Sequence, residues 1–132
     1  MKFTGKQPYE SFSVVGATAY GFAKEDMRED PLDYLFVDEA SQVAMANLVA
    51  VSGATKNIIL MGDQMQLEQP VQGSHPGEAG TSALEYMLKG FSVIPEDIGI
   101  FLERTYRMHP AICKPLSDVV YEGKLSTDPS NK

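Results

Sequence analysis

Four short apolar runs, spaced by tens of residues, constrain the fold of this chain more than any other feature. The first is Phe12 to Tyr20, with Val14 and Val15 at its centre. The second is Tyr34-Leu35-Phe36-Val37, ended by Asp38, and the third is Asn57-Ile58-Ile59-Leu60-Met61, ended by Gly62-Asp63. The fourth, Gly99-Ile100-Phe101-Leu102, runs into Glu103 and Arg104. Runs that are apolar on both faces need cover on both faces, so they read as buried parallel strands rather than as hairpins.

The intervening segments have helical signatures. Ser41 to Ser52 carries a broad apolar face of Val43, Ala46, Leu48, Val49 and Ala50, and Gly53 stands where a helix would stop. Ser82 followed by Glu85 is a capping-box pattern that predicts a short helix over Ala83 to Lys89, closed by Gly90. Pro110 suits a first helical turn, with Ile112, Leu116, Val119 and Val120 at helical spacing and Gly123 as the stop. Strands alternating with helices predict an α/β fold, a mostly parallel sheet with flanking helices. Glu68 to Gly80, rich in Gly and Pro, reads as a long functional loop, and Ser126 to Lys132 as a disordered tail or cut linker.

The 132 residues suffice for one domain or a large piece of one, and 43% hydrophobic with 22% charged residues excludes a disordered segment. The chain has 11 Lys+Arg against 18 Asp+Glu, a formal charge of −7, so bulk electrostatics cannot hold a phosphate backbone. Any nucleic-acid contact has to be local. A single cysteine, Cys113, excludes an internal disulfide framework and suits a reducing cytosol. The apolar runs fall short of the ~20 residues a membrane span requires. The first twelve residues lack an apolar signal core, so a cytoplasmic location with no membrane partner is expected.

Ligands of open parallel sheets bind beyond the carboxyl ends of the strands. The second run ends in Asp38-Glu39-Ala40-Ser41, the third in Gly62-Asp63-Gln64-Met65-Gln66-Leu67, and the fourth leads to Glu103-Arg104-Thr105-Tyr106-Arg107. Adjacent strand-end carboxylates would point in opposite directions, one toward a magnesium shell and the other toward a water. Magnesium keeps most of its waters, so one carboxylate is enough. Acids also open helices, where they complement the dipole, and the dipeptide alone favours that reading. Gln66 offers a neutral amide that can orient water or sense a γ-phosphate, or it is a solvated loop residue. Arg107 offers a planar fork for phosphate, or forms a surface ion pair with Glu103. His109 and Cys113 stand four apart, but no second ligand pair has useful spacing, which speaks against zinc.

Together and in this order, the strings DYLFVDEASQ, IILMGDQMQLEQPVQG, FLERTYRMHPAI and VVYEGKL resemble superfamily 1 helicases. The likeness is to the 5′-to-3′ branch that includes the RNA-surveillance helicases and their bacterial and archaeal relatives. Asp38-Glu39-Ala40-Ser41 matches motif II, the Walker B element. Gly62-Asp63 with Gln66-Leu67 and Pro70-Val71 matches motif III, with one residue more than usual between Leu67 and Pro70. Tyr106 to Pro110 matches motif IV, and Tyr121 to Leu125 the segment that follows it. Val15 to Tyr20 looks like the strand and nucleic-acid loop before motif II. The resemblance implies that Asp38 holds magnesium through its water shell and that Glu39 is the general base. It implies that Gln66 couples the γ-phosphate to the nucleic-acid groove and that Arg107 contacts that phosphate. Asp63 falls in the nucleotide-facing motif III, and Thr18 in the loop that touches nucleic acid.

A phosphate-binding loop requires GxxxxGK[ST], because backbone N–H groups and the lysine wrap the β- and γ-phosphates. Gly5-Lys6 is followed by Gln7 and Gly123-Lys124 by Leu125, so neither qualifies. Residues 1–125 therefore read as the later half of a first RecA-like P-loop NTPase lobe lacking its phosphate-loop strand. ATP and Mg2+ would belong to the longer protein, with neither bound tightly by this chain alone. The partners implied are single-stranded DNA or RNA and the remaining helicase lobes, together with self-association through bared sheet edges. A degenerate lobe serving as an interaction module is the alternative. A receiver- or phosphatase-type domain would need more strand-end aspartates than Asp38 and Asp63.

Overall fold

The computed structural model describes residues 12–66 and 76–131. Its central feature is a parallel pair of strands, β1 (Leu32–Val37) and β2 (Thr55–Leu60), in register from Leu32 against Thr55 to Val37 against Leu60. The connection between them contains a 3-10 turn (Ala40–Gln42) and a helix. Short helices over Ala19–Phe22 and Asp26–Glu29, α1 and α2, precede β1, and α3 (Met45–Ser52) lies between the strands. Phe22, Met27, Leu35, Val51 and Ala54 form a core on one face of the pair. A second cluster of Ala40, Leu84 and Leu88 includes α4 (Ala83–Met87), and Val37 packs against both. Ser82 caps α4 as its sequence implies, its hydroxyl accepting Glu85 N at 3.1 Å.

The expected helix over Ser41 to Ser52 is split. Val43 and Ala44 stay extended because they serve α4: Ala83 N donates to Val43 O at 2.8 Å, and Ala44 bridges Ser82. Two expected strands do not form. Phe12 to Tyr20 acquires no ladder and ends in α1. Gly99–Leu102 is likewise not a strand, and Ile100 and Leu102 are more than four-fifths exposed. A strand needs a neighbour that accepts its hydrogen bonds, and the chain finds one only two residues later. There β3 (Arg104–Thr105) pairs in parallel with β4 (Ser126–Thr127), in the segment expected as a tail. This ladder stands apart from the β1–β2 sheet.

Helix α5 (Pro110–Val120) joins β3 to β4 and begins at the expected proline. His109 is its cap, Nδ1 accepting Ala111 N at 3.2 Å, which gives this histidine a structural task. The helix buries Cys113 and Ser117 against β4, while Ile112 and Val119 from the expected apolar stripe stay exposed. Among the described residues no helix is long and apolar enough to cross a membrane. The apolar side chains Tyr34, Phe36, Ile59 and Met61 stand bare on the other face of the β1–β2 pair.

Candidate functional site

The ends of β1 and β2 are clasped together. Met61 N donates to Val37 O at 2.9 Å, and Ala40 N then donates to Met61 O at 2.8 Å. The chain leaving β1 thus folds back over the end of β2, and Ala40 and Ser41 are buried beneath it. Gly62 makes the approach possible. Its φ is +155°, and a Cβ there would stand 2.9 Å from Ala40 N and 2.9 Å from Leu84 Cδ1.

Asp38 and Glu39 occupy the turn that the clasp holds. Strand alternation does not set their directions, because β1 ends at Val37 and Glu39 adopts a left-handed conformation (φ 51°, ψ 44°). A non-glycine residue there costs on the order of 1 kcal/mol, and such residues cluster at functional sites. Asp38 Oδ1 offsets part of this by accepting Glu39 N at 3.0 Å. Both side chains remain exposed.

Past Gly62, Asp63 organises the next turn. Its Oδ1 accepts Met65 N at 3.0 Å, and its carbonyl accepts Gln66 N at 3.2 Å. Its Oδ2 accepts Gln66 Nε2 at 3.4 Å and the Tyr121 hydroxyl at 2.5 Å. Gln64 anchors the turn from the other side, Nε2 donating to Ser92 O at 2.8 Å. Burial first, and then the bond to the Asp63 carboxylate and its charge, push the Tyr121 phenol up to about 12. The Tyr121 ring packs against Phe101, with centroids 6.0 Å apart.

Asp38, Glu39, Asp63 and Gln66 therefore share one end of the parallel pair. Arg107 is not tied to them by any hydrogen bond. It lies exposed between β3 and α5, its backbone N donating to Thr105 Oγ1 at 3.3 Å. Among the described residues its guanidinium pairs with no carboxylate, Glu103 included. Thr18 precedes α1 and shares no hydrogen bond with this group, its carbonyl accepting Gly21 N at 2.8 Å. Pro70, Val71 and most of the expected long loop, like Gly5 and Lys6, lie outside the described residues. No group of three or more His, Cys, Asp or Glu side chains able to hold a metal occurs among the described residues. Tyr121 was not legible as part of this group, since the contact spans 58 residues and tyrosine at a helix end carries no signal of its partner.

Comparison with known proteins bears on this end of the sheet directly. Residues 3–72, which contain both strand-end turns up to Gln66, match the AAA domain family. The chain is 34% identical over 113 residues to the DNA polymerase alpha-associated DNA helicase A of Schizosaccharomyces pombe, an alignment covering 85% of this chain and 16% of that protein. It is 31% identical over 117 residues to the DNA replication ATP-dependent helicase/nuclease DNA2 of Gallus gallus, covering 89% of this chain and 12% of the relative. It is 28% identical over 120 residues to the Regulator of nonsense transcripts 1 of Dictyostelium discoideum, covering 89% and 9%. The chain spans less than a fifth of each of these relatives. No solved structure matches it. With the family match running through both clasped turns and the helicase relatives aligning over most of the chain, the protein belongs to the AAA domain family as a superfamily 1 helicase fragment.

Proposed function

We propose that this chain supplies the magnesium- and water-facing side of an ATP-hydrolysing site in a longer nucleic-acid helicase or translocase. The observation that carries the reading is the clasp between Val37, Ala40 and Met61, which sets Asp38-Glu39 beside Asp63-Gln66 at one strand end. Asp38 has one oxygen engaged by Glu39 N and, among the described residues, no hydrogen bond on the other, which suits a magnesium ion that keeps most of its waters. Glu39 is the general base for the attacking water, and Gln66 couples the γ-phosphate to the nucleic-acid groove. Arg107 stabilises the charge that grows on the transferred phosphoryl group. Its exposed, carboxylate-free guanidinium would have to be brought to the nucleotide by closure of the longer protein. Thr18 contacts the backbone of single-stranded DNA or RNA.

On this reading residues 1–125 belong to a RecA-like motor lobe whose phosphate-loop strand is missing beside β1 and β2. Because β3 pairs with β4, no strand among the described residues fills that place, and both outer edges of the pair stay open there. The chain alone then lacks the phosphate cradle, turns over no ATP, and associates with itself through the bared edges. The second reading, a lobe retained as an interaction module, is favoured by the absent phosphate loop. Phosphate release decides between them. In the longer protein Glu39→Gln should abolish ATP hydrolysis and leave nucleotide binding within about threefold. Hydrolysis that survives the substitution removes Glu39 as base.

A further inference from the structure

The bond from Tyr121 to Asp63 joins the turn after β2 to the end of a helix that otherwise packs on β4. None of the roles above accounts for it. Asp63 has three side-chain bonds of unequal strength. The Tyr121 hydroxyl lies at 2.5 Å and Met65 N at 3.0 Å, but Gln66 Nε2 lies at 3.4 Å. Short hydrogen bonds to a charged acceptor are the strong ones, so the carboxylate is held by the phenol and the backbone while the amide is held loosely. Tyr121 is itself fixed. Its ring packs on Phe101, its N donates to Ser117 O at 3.0 Å, and its carbonyl accepts Lys124 N at 2.9 Å.

We propose that Tyr121 is a positioning residue for Gln66: by holding Asp63, it keeps the turn in place while the Gln66 amide leaves Asp63 for the nucleotide. The proposal rests on the ATPase reading of Gln66 and extends it to a residue outside the strand ends. Without Tyr121, departure of the amide would leave Asp63 Oδ2 with no partner and the carboxylate held by Met65 N alone, from within its own turn. With Tyr121 in place, Met65 N keeps its acceptor and only the weakest of the three bonds is exchanged.

The test substitutes Tyr121→Phe in residues 1–132, which removes the hydroxyl and keeps the ring on Phe101. Amide hydrogen exchange at Met65 and Gln66 should speed up about tenfold, while amides of β1 and β2 stay within about twofold. In Asp63→Asn, the late-titrating tyrosine in an ultraviolet pH titration should move down toward the others, a response that a purely packing role would not give. In the longer protein Tyr121→Phe should lower kcat about tenfold with the KM for ATP unchanged. Met65 and Gln66 exchange unaltered by Tyr121→Phe, or a late tyrosine unmoved by Asp63→Asn, overturns the proposal. Those two arms contain no nucleotide, so a wild-type protein that hydrolyses no ATP overturns the ATPase reading without touching them.

Discussion

Replacing Gly62 with alanine tests the clasp that brings the two strand-end turns together. The new Cβ would meet Ala40 N at 2.9 Å and Leu84 Cδ1 at 2.9 Å, with Ser41 N at 3.4 Å. The Leu84 methyl is the end of a rotatable side chain and can swing aside. Ala40 N cannot move cheaply, because it is backbone, belongs to a fully buried residue, and donates to Met61 O at 2.8 Å. Two costs therefore add. A side chain at a φ of +155° is strained by about 1–3 kcal/mol, and crowding a packed site costs about 1–3 kcal/mol. We expect Gly62→Ala to destabilise residues 1–132 by about 3 kcal/mol, a large part of the whole stability of a domain this size. Urea unfolding followed by circular dichroism measures it. Gly77→Ala is the control: φ there is +60°, and nothing lies within 4 Å of the added Cβ, so only the strain of about 1 kcal/mol remains. If Gly62→Ala costs no more than Gly77→Ala, the approach of the two turns is not held by close packing and the reasoning fails.

Two further outcomes follow from the same geometry. The Tyr121 phenol is raised to about 12 in the folded chain, above its unfolded value of about 10, so its contribution is complete below pH 10 and is lost as pH rises from about 10 to about 12. After discounting for the partial exposure of the ring, stability should fall by about 1 kcal/mol more in wild type than in Tyr121→Phe across that window, and equal slopes in urea titrations would refute the assignment. The open β1–β2 pair should make the chain self-associate in sedimentation velocity at micromolar concentrations. Phe36→Lys, a charge on a bared strand, should shift it toward monomer, whereas a monodisperse wild-type monomer would count against edge pairing.

What could be read in the sequence was what local chemistry decides. Ser82 three residues before Glu85, and Pro110 ahead of a helical pattern, specify their helix starts through their own hydrogen bonds and backbone angles, and both appear where expected. The runs Tyr34–Val37 and Asn57–Leu60 became strands because each is the other's partner. Phe12 to Tyr20 and Gly99 to Leu102 are as apolar but found no neighbour, and propensity without a partner makes no ladder. Arg104–Thr105 and Ser126–Thr127 form one without any apolar signal, because α5 returns the chain alongside itself. The site divided the same way. Asp38 and Glu39 follow directly on β1, and Asp63 and Gln66 stand in the turn after β2, so their position at one end of the pair was legible. Tyr121 reaches Asp63 only through the path of α5, which no spacing encodes.

On the proposed reading, the electrostatics of this strand end bear on the acidic balance of the chain. Asp38, Glu39 and Asp63 crowd one strand end, and none takes part in the ion pairs among the described residues, which lie at Asp33, Glu78, Asp118, Glu122 and Asp128. A naked triphosphate approaching this end would meet like charge on every side. A magnesium ion held there would reverse the sign, since a dication attracts both carboxylates and phosphates. The cations that could bind the phosphates directly are scarce here. Arg107 shares no hydrogen bond with the strand-end acids among the described residues, and no GxxxxGK[ST] loop occurs in this sequence. On the proposed reading, the acids at this end would face a metal ion, and the groups that bind the phosphates would be supplied by other segments.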